Sequence, residues 1–271
     1  MRTTIFIFIL TIAGFSKIFS QTSPGDIVTD RPDQTESAVI TPKNHIQIES
    51  GISYSRQSVL FLSFLGFEVN ADYYTVPTVL FRYGLEPFIE LRLNAEYLTG
   101  KIKTKINNSV INEDTKSGLQ PIQIGAKLKL FETASRVTKG ALLVSGDIPA
   151  FATGDFTDME TTLEGRFLFQ TAHKDGLALG INVGMEYTPD NGEKVYLYTI
   201  APSFGFNDKL GGFIELYGFY YNTPDEFNNY LDGGLTYLLA PNMQLDLSAG
   251  ILFSANTHYF ISSGFSVRLP R

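Results

Sequence analysis

An antiparallel transmembrane β-barrel of about twelve strands is the fold this sequence predicts, and three patterns predict it. Polar and apolar residues alternate in stretch after stretch, short and long connections alternate between the stretches, and aromatic residues gather at the stretch ends. The alternation is plainest in Phe88–Leu98. Ile89, Leu91, Leu93, Ala95 and Tyr97 fall on one face, and Glu90, Arg92, Asn94 and Glu96 on the other. A soluble sheet also alternates, but it turns its polar side to bulk water and its apolar side to a core. An outer-membrane barrel inverts this, apolar outside and polar inside. Recurrence of the pattern without helical stretches, behind an export signal, favours the barrel.

Met1–Ser20 carries Arg2, an apolar run from Ile5 to Phe15 and then Ile-Phe-Ser before Gln21. This is the layout of a signal peptide cleaved after Ser20. The run falls short of the roughly 20 apolar residues that span a bilayer. Residues 21–44 are turn-rich (Pro24, Gly25, Pro32, Pro42) and read as an irregular N-terminal segment, periplasmic or lumenal. Residues 45–271 read as one barrel. Its candidate strands are His45–Gln57, Tyr73–Tyr83, Phe88–Leu98, Leu119–Phe131, Ala141–Pro149, Thr162–Thr171, Leu177–Thr188, Val195–Phe206, Gly212–Tyr221, Tyr230–Leu239, Met243–Ser254 and Tyr259–Pro270. Pro77 and Pro202 fall inside strands. A closed barrel has no free edge for proline, so each demands a bulge or a local break.

The gaps Gly84–Pro87, Ala172–Gly176, Asn207–Gly211 and Ala240–Asn242 are tight turns. Ser58–Asp72, Gly100–Gly118, Ala150–Thr161 and Asn222–Asn229 read as longer loops; Glu132–Gly140 is long for a turn and Ala255–His258 short for a loop. Such sorting matches short periplasmic turns and long external loops. Tyr54, Tyr97, Tyr187 and Tyr220 fall at outer strand ends; Phe81, Tyr83, Phe169, Phe204, Phe206 and Tyr237 fall toward inner ends. Both sets keep the apolar parity, as interfacial girdles do, although Trp is 0.

Mean hydropathy is only +0.02, yet aromatics make up 13% and Cys is 0. Barrel strands reconcile these values, because only every second residue faces lipid. Absence of cysteine excludes a lipoprotein anchor, disulfides and thiolate metal sites. A net charge of −7 argues against a nucleic-acid partner.

Following the polar parity collects Glu49, Arg82, Glu90, Arg92, Glu96, Lys127, Lys129, Asp147, Glu164, Arg166, Glu186, Glu215, Asp232, Asp246 and Arg268. On the lipid face a midplane Arg or Lys would cost roughly 2–4 kcal/mol, so these residues must point inward. They either fill a narrow lumen by pairing with one another or line a solute path. Gly51, Gly125, Gly234, Gly250 and Gly264 share this parity and leave lumenal room or let strands bend.

Catalysis needs a nucleophile within hydrogen-bond reach of a base. His45, His173 and His258 are the sequence's imidazoles, placed at a strand start, a turn and an external loop, and none is followed two residues later by Ser. No metal cluster, phosphate loop or nucleotide motif appears, so no cofactor is expected.

Thr29-Asp30-Arg31-Pro32-Asp33-Gln34-Thr35 followed by His45–Gly51 resembles the opening of an outer-membrane transporter-like family, the "putative MetA-pathway of phenol degradation" family. Pro77–Leu85, Glu90-Leu91-Arg92, Pro121–Lys127, Leu231–Tyr237, Gln244–Gly250 and Gly264–Pro270 are similar too, so the resemblance spans nearly the whole mature chain. It implies an outer-membrane barrel grouped with channels for hydrophobic or aromatic compounds; phenol itself is not implied. The end Leu269-Pro270-Arg271 departs from the terminal aromatic that many barrels carry as an assembly signal.

Asp30-Arg31-Pro32 supplies the sharpest local expectation. Arg31 either reaches into the barrel mouth to pair with Glu49 or Glu90 as a plug or latch, or belongs to a periplasmic tail. The expected activity is passive passage of small solutes, with outer-membrane lipid and the barrel-assembly machinery as partners. Alternatives are a sealed structural or adhesion barrel and an outer-membrane lipid hydrolase.

Overall fold

The computed structural model describes residues 25–61, 66–107, 109–135, 137–172, 176–253 and 257–270. The segment Met1–Ser20, expected to be a signal peptide, and His173 lie outside these residues. Thirteen strands follow in order: β1 (Ile46–Phe61), β2 (Phe67–Glu86), β3 (Ile89–Ile106), β4 (Ser109–Leu119), β5 (Ile122–Glu132), β6 (Thr138–Ile148), β7 (Leu163–Ala172), β8 (Leu177–Thr188), β9 (Glu193–Gly205), β10 (Leu210–Asn222), β11 (Asp225–Ala240), β12 (Met243–Leu252) and β13 (Thr257–Leu269). All pair antiparallel with their neighbours. The first strand meets the last, with Gly51 opposite Gly264, and β2 meets β3, so the sheet closes on itself.

Thirteen strands make a twelve-strand barrel because β4 and β5 share one position in the wall. β3 pairs with β4 through Tyr97–Ile106 and with β5 through Ile89–Asn94. The ladder breaks at Gln120-Pro121, where proline has no N–H to give. Both other prolines have their expected consequences. Pro77 sits in a bulge of β2, where the register jumps from Thr75 to Thr78. Opposite Pro202 the β9–β10 ladder skips Ile214 and Glu215.

Three of the expected long loops are largely strand. Gly100–Gly118 forms the end of β3 and nearly all of β4; Ser58–Asp72 and Asn222–Asn229 extend the hairpins β1–β2 and β10–β11. In Gly100–Gly118 and Asn222–Asn229 polar and charged residues obscured the alternation, and in Ser58–Asp72 a nearly continuous apolar run did. Beyond the membrane both faces of a ribbon can meet water, so periodicity no longer marks a strand there. Ser109–Lys116 pairs only with β3 and carries Glu113, Asp114 and Lys116, charges that discourage further pairing at an edge. The loop after β6 contains two short 3-10 turns, Pro149–Phe151 and Gly154–Phe156, and leans on the end of β4. Glu132–Gly140 is shorter than expected, since β6 begins at Thr138. The end of the barrel with the tight turns is hereafter the turn end, and the opposite one the loop end.

Burial is inside out. Glu49, Glu90, Lys127 and Glu215 are 0% exposed, while Ile52 is 54%, Leu247 48% and Ile251 50% exposed. An apolar outer belt of this kind costs little in lipid and much in water.

Candidate functional site

Each of the fourteen charges carried by Glu49, Arg82, Glu90, Arg92, Glu96, Lys127, Asp147, Glu164, Arg166, Glu186, Glu215, Asp232, Asp246 and Arg268 lies on the inward face, buried or half-buried. They do not form one site. Those nearer the turn end surround an element whose place the sequence left open.

Residues 25–45 enter the barrel at the turn end, rise within the lumen and return to β1. At entry, the Arg268 side chain donates to the Gly25 carbonyl at 2.5 Å, and Ile27 N–H donates to the Pro241 carbonyl at 2.7 Å. On return, Thr41 N–H donates to Glu90 at 2.7 Å, and Asn44 N–H to the Gly84 carbonyl at 2.7 Å. Between these points the segment bonds to most of the wall. Glu36 N–H donates to Asn182 at 2.7 Å, Ser37 Oγ to Gln170 at 3.0 Å, and Thr35 Oγ1 to Glu215 at 2.5 Å. A segment with no secondary structure can lie inside only because wall side chains take up its backbone groups.

Arg82 is the hub of the packed half. Its guanidinium, 1% exposed, stands 2.8 Å from Glu49, 2.9 Å from Glu90 and 3.1 Å from Asp30. Asp30 also meets Arg92 and, at 2.8 Å, the Lys127 ammonium; Glu36 meets Arg92 at 2.8 Å. Burial pushes the Asp30 carboxyl up, but Arg82, Lys127 and Arg92 together hold it well below the usual carboxylate range. At Glu36 burial, reinforced by the Asp30 carboxylate, prevails over Arg92 and Lys127, and the carboxyl is raised.

Arg31 does not pair through its side chain with Glu49 or Glu90. Its guanidinium reaches Asp246 at 3.2 Å, Ser262 at 2.9 Å and Thr78 at 3.2 Å, while its backbone N–H donates to Glu49 at 3.1 Å. The reason is room. Arg31 lies against Gly51 and Gly264, where any Cβ would collide with it. Pro32 lines, with Asp33, Thr35, Gly180, Ala201 and Gly212, a cavity of about 240 Å³ between the segment and the wall.

Toward the loop end the charges are less compensated. Glu164 pairs with Arg166 and accepts from Ser145 at 3.0 Å. Among the described residues, no Lys or Arg stands at ion-pair distance from Glu96, Asp147, Glu186, Glu215 or Asp232. Aromatic rings share this region. Tyr217 and Tyr230 stack at 4.8 Å and 6°, Phe219 meets both edge-on, and His258 stands edge-on to Tyr230 at 5.5 Å. His45 sits at the other end, its Nδ1 3.0 Å from the Lys43 carbonyl.

Sequence reading overlooked the neutral lumenal partners Gln47, Asn182, Thr199 and Gln244, and the inward rings of Tyr217, Tyr230 and Phe260. Their signal was present. Tyr217 has the parity of Glu215, Tyr230 that of Asp232, and Phe260 that of Arg268. Counting charges alone passed over them.

A family model described as "Putative MetA-pathway of phenol degradation" matches residues 29–269. No curated protein sequence matches the chain. Among solved structures, the crystal structure of the COG4313 outer membrane channel from Pseudomonas putida F1 superposes with a TM-score of 0.62 at 9% identity. The match covers 93% of this chain and 100% of that one. The transport unit of the autotransporter AIDA-I from Escherichia coli superposes at 0.52 with 10% identity, covering 85% and 91%. At such identities the likeness is one of fold.

Proposed function

This chain belongs to the family described as "Putative MetA-pathway of phenol degradation", and from that premise we propose that it is a passive outer-membrane channel for small solutes, narrowed at one end by its own N-terminal segment. One observation carries this reading: a closed barrel with an apolar exterior encloses a charged lumen, and its filling is held there by hydrogen bonds and ion pairs. Contacts of this kind can be exchanged for water without breaking a covalent bond. In this reading passage draws on no energy source, and solute follows its gradient.

Small hydrophobic or aromatic molecules are the proposed solutes, consistent with the rings beside the loop-end lumen. In this reading residues 1–20 are removed on export, the turn end faces the periplasm, and the barrel-assembly machinery inserts the strands into outer-membrane lipid. No catalytic step is assigned to the lumen. A lipid-hydrolysis assay on wild type and His258→Ala should find no hydrolysis in either.

Liposome swelling with solutes of graded size tests passage. Swelling that falls off with solute size is expected, and a barrel that gives none at any size is sealed, which ends the channel reading. In planar bilayers Arg31→Ala should raise single-channel conductance, because it frees the segment from Asp246 and Ser262. Heat-modifiable gel migration of protein extracted from outer-membrane fractions checks location and closure together.

A further inference from the structure

Glu215 and Asp232 face each other across the β10–β11 ladder, 0% and 5% exposed. Glu215 is fixed by the inserted segment, accepting from Gln34 N–H at 2.7 Å and Thr35 Oγ1 at 2.5 Å. Asp232 is not fixed. No donor side chain or backbone N–H reaches either of its carboxyl oxygens; what lies within hydrogen-bonding reach is the Glu215 carboxyl itself, and no ion pair reaches either residue among those described. Asp33, at the top of the inserted segment, brings a third carboxyl within electrostatic range of both. A buried carboxyl pair with no cation beside it costs far more than the ion-paired carboxylates below it. These groups are not gathered as metal ligands are, since no described cluster of three could hold a metal ion.

Aromatic surface borders the pair. Tyr217, 5% exposed, follows Glu215 on the same face of β10 and stacks on Tyr230, which precedes Asp232 on the same face of β11. Phe219 and His258 wall Tyr230 edge-on. Phe260 lies over Gly250, directly beside the Asp232 Cβ. Electron-rich faces next to unpaired carboxylates are what a cation with an apolar body requires, and neither metal ions nor neutral arenes need both.

We propose that the loop-end lumen contains a binding site for an amphipathic organic cation, its ammonium group on Asp232 and Glu215 and its apolar body between Phe260 and the Tyr217–Tyr230 stack. The site rests on the channel reading only in being reachable from the loop end. It does not require passage through the packed half. A barrel that failed the swelling assay would still bind the cation, and a channel that bound no cation would still swell liposomes.

Isothermal titration calorimetry on the full barrel in non-ionic detergent decides it, with benzyltrimethylammonium as probe. Tetramethylammonium supplies charge without a ring, and benzyl alcohol a ring without charge. Benzyltrimethylammonium should bind saturably and at least about tenfold more tightly than either. Asp232→Asn should weaken it about tenfold, Tyr230→Leu severalfold, and Tyr230→Phe, which keeps the ring face, about twofold or less. Equal affinity for benzyl alcohol, or heat-modifiable variants that bind like wild type, would overturn the proposal. So would an absence of binding heat at all temperatures tried, since the carboxyl pair then satisfies itself by sharing a proton. Should the Asp232 and Tyr230 variants fail to fold, the comparison of charged and neutral probes on the unaltered chain still decides.

Discussion

At the turn end Arg82 stands within 3.1 Å of three carboxylates, whereas at the loop end Asp147, Glu186 and Asp232 have no cation at ion-pair distance among the described residues. The same alternating strands build both halves. The difference lies in what fills them. Residues 25–45 bring Asp30 and Glu36 to wall cations and Arg31 to a wall carboxylate, so the filled half approaches neutrality. Acidic groups outnumber basic ones in the half they leave free, which favours cations there. A barrel can thus assign closure to one half of its lumen and selection to the other.

Removing the filling should break the comparison most strongly. Deletion of residues 26–40 should raise single-channel conductance severalfold, whereas shortening the β3–β4 hairpin within residues 101–116 should leave it nearly unchanged. Next in size is Arg82→Ala, which strands buried carboxylates and should destabilise the barrel by about 3–5 kcal/mol. It would appear as a lower temperature of heat-modified migration.

Acidification sharpens the contrast within the inserted segment. A free Asp carboxyl titrates near about 3.9. Asp30 is held below that value, so its contribution is complete above it and fades only as pH falls through the lowered value. Asp33 behaves oppositely. Burial and the Glu215 and Asp232 carboxylates raise it well above the usual range, so protonation on acidification relieves repulsion and tightens the segment. Conductance should therefore not rise between about pH 7 and pH 5. Asp30→Asn should raise it at neutral pH, and Asp33→Asn should lower it. The smallest effect on conductance belongs to Arg166→Ala, which removes the ion-pair partner of Glu164 in the half the segment leaves free. Reversal potentials in a salt gradient should nevertheless shift toward cations.

Much of this was legible without coordinates where a residue's role follows from its neighbours two places away. Leu91 and Glu90 face opposite ways in any strand, and Pro77 and Pro202 forced the ladder defects that appear at both. Legibility failed where periodicity lost its meaning. The end of β3 and nearly all of β4 read as loop because both their faces can be polar, and residues 25–45 have no period at all.

The sequence by itself determined a closed sheet, its number of wall positions, and which residues of each strand meet lipid or lumen, because alternation is local and lipid excludes charge. Only the tertiary structure decided which charges meet. Lys127 finds Asp30 across 97 residues and Arg31 finds Asp246 across 215, so their partnership depends on barrel closure, strand stagger and an inserted segment. Parity says that a side chain points inward, but not how high it sits or what stands opposite. That is why Arg82 rather than Arg31 joins Glu49 to Glu90.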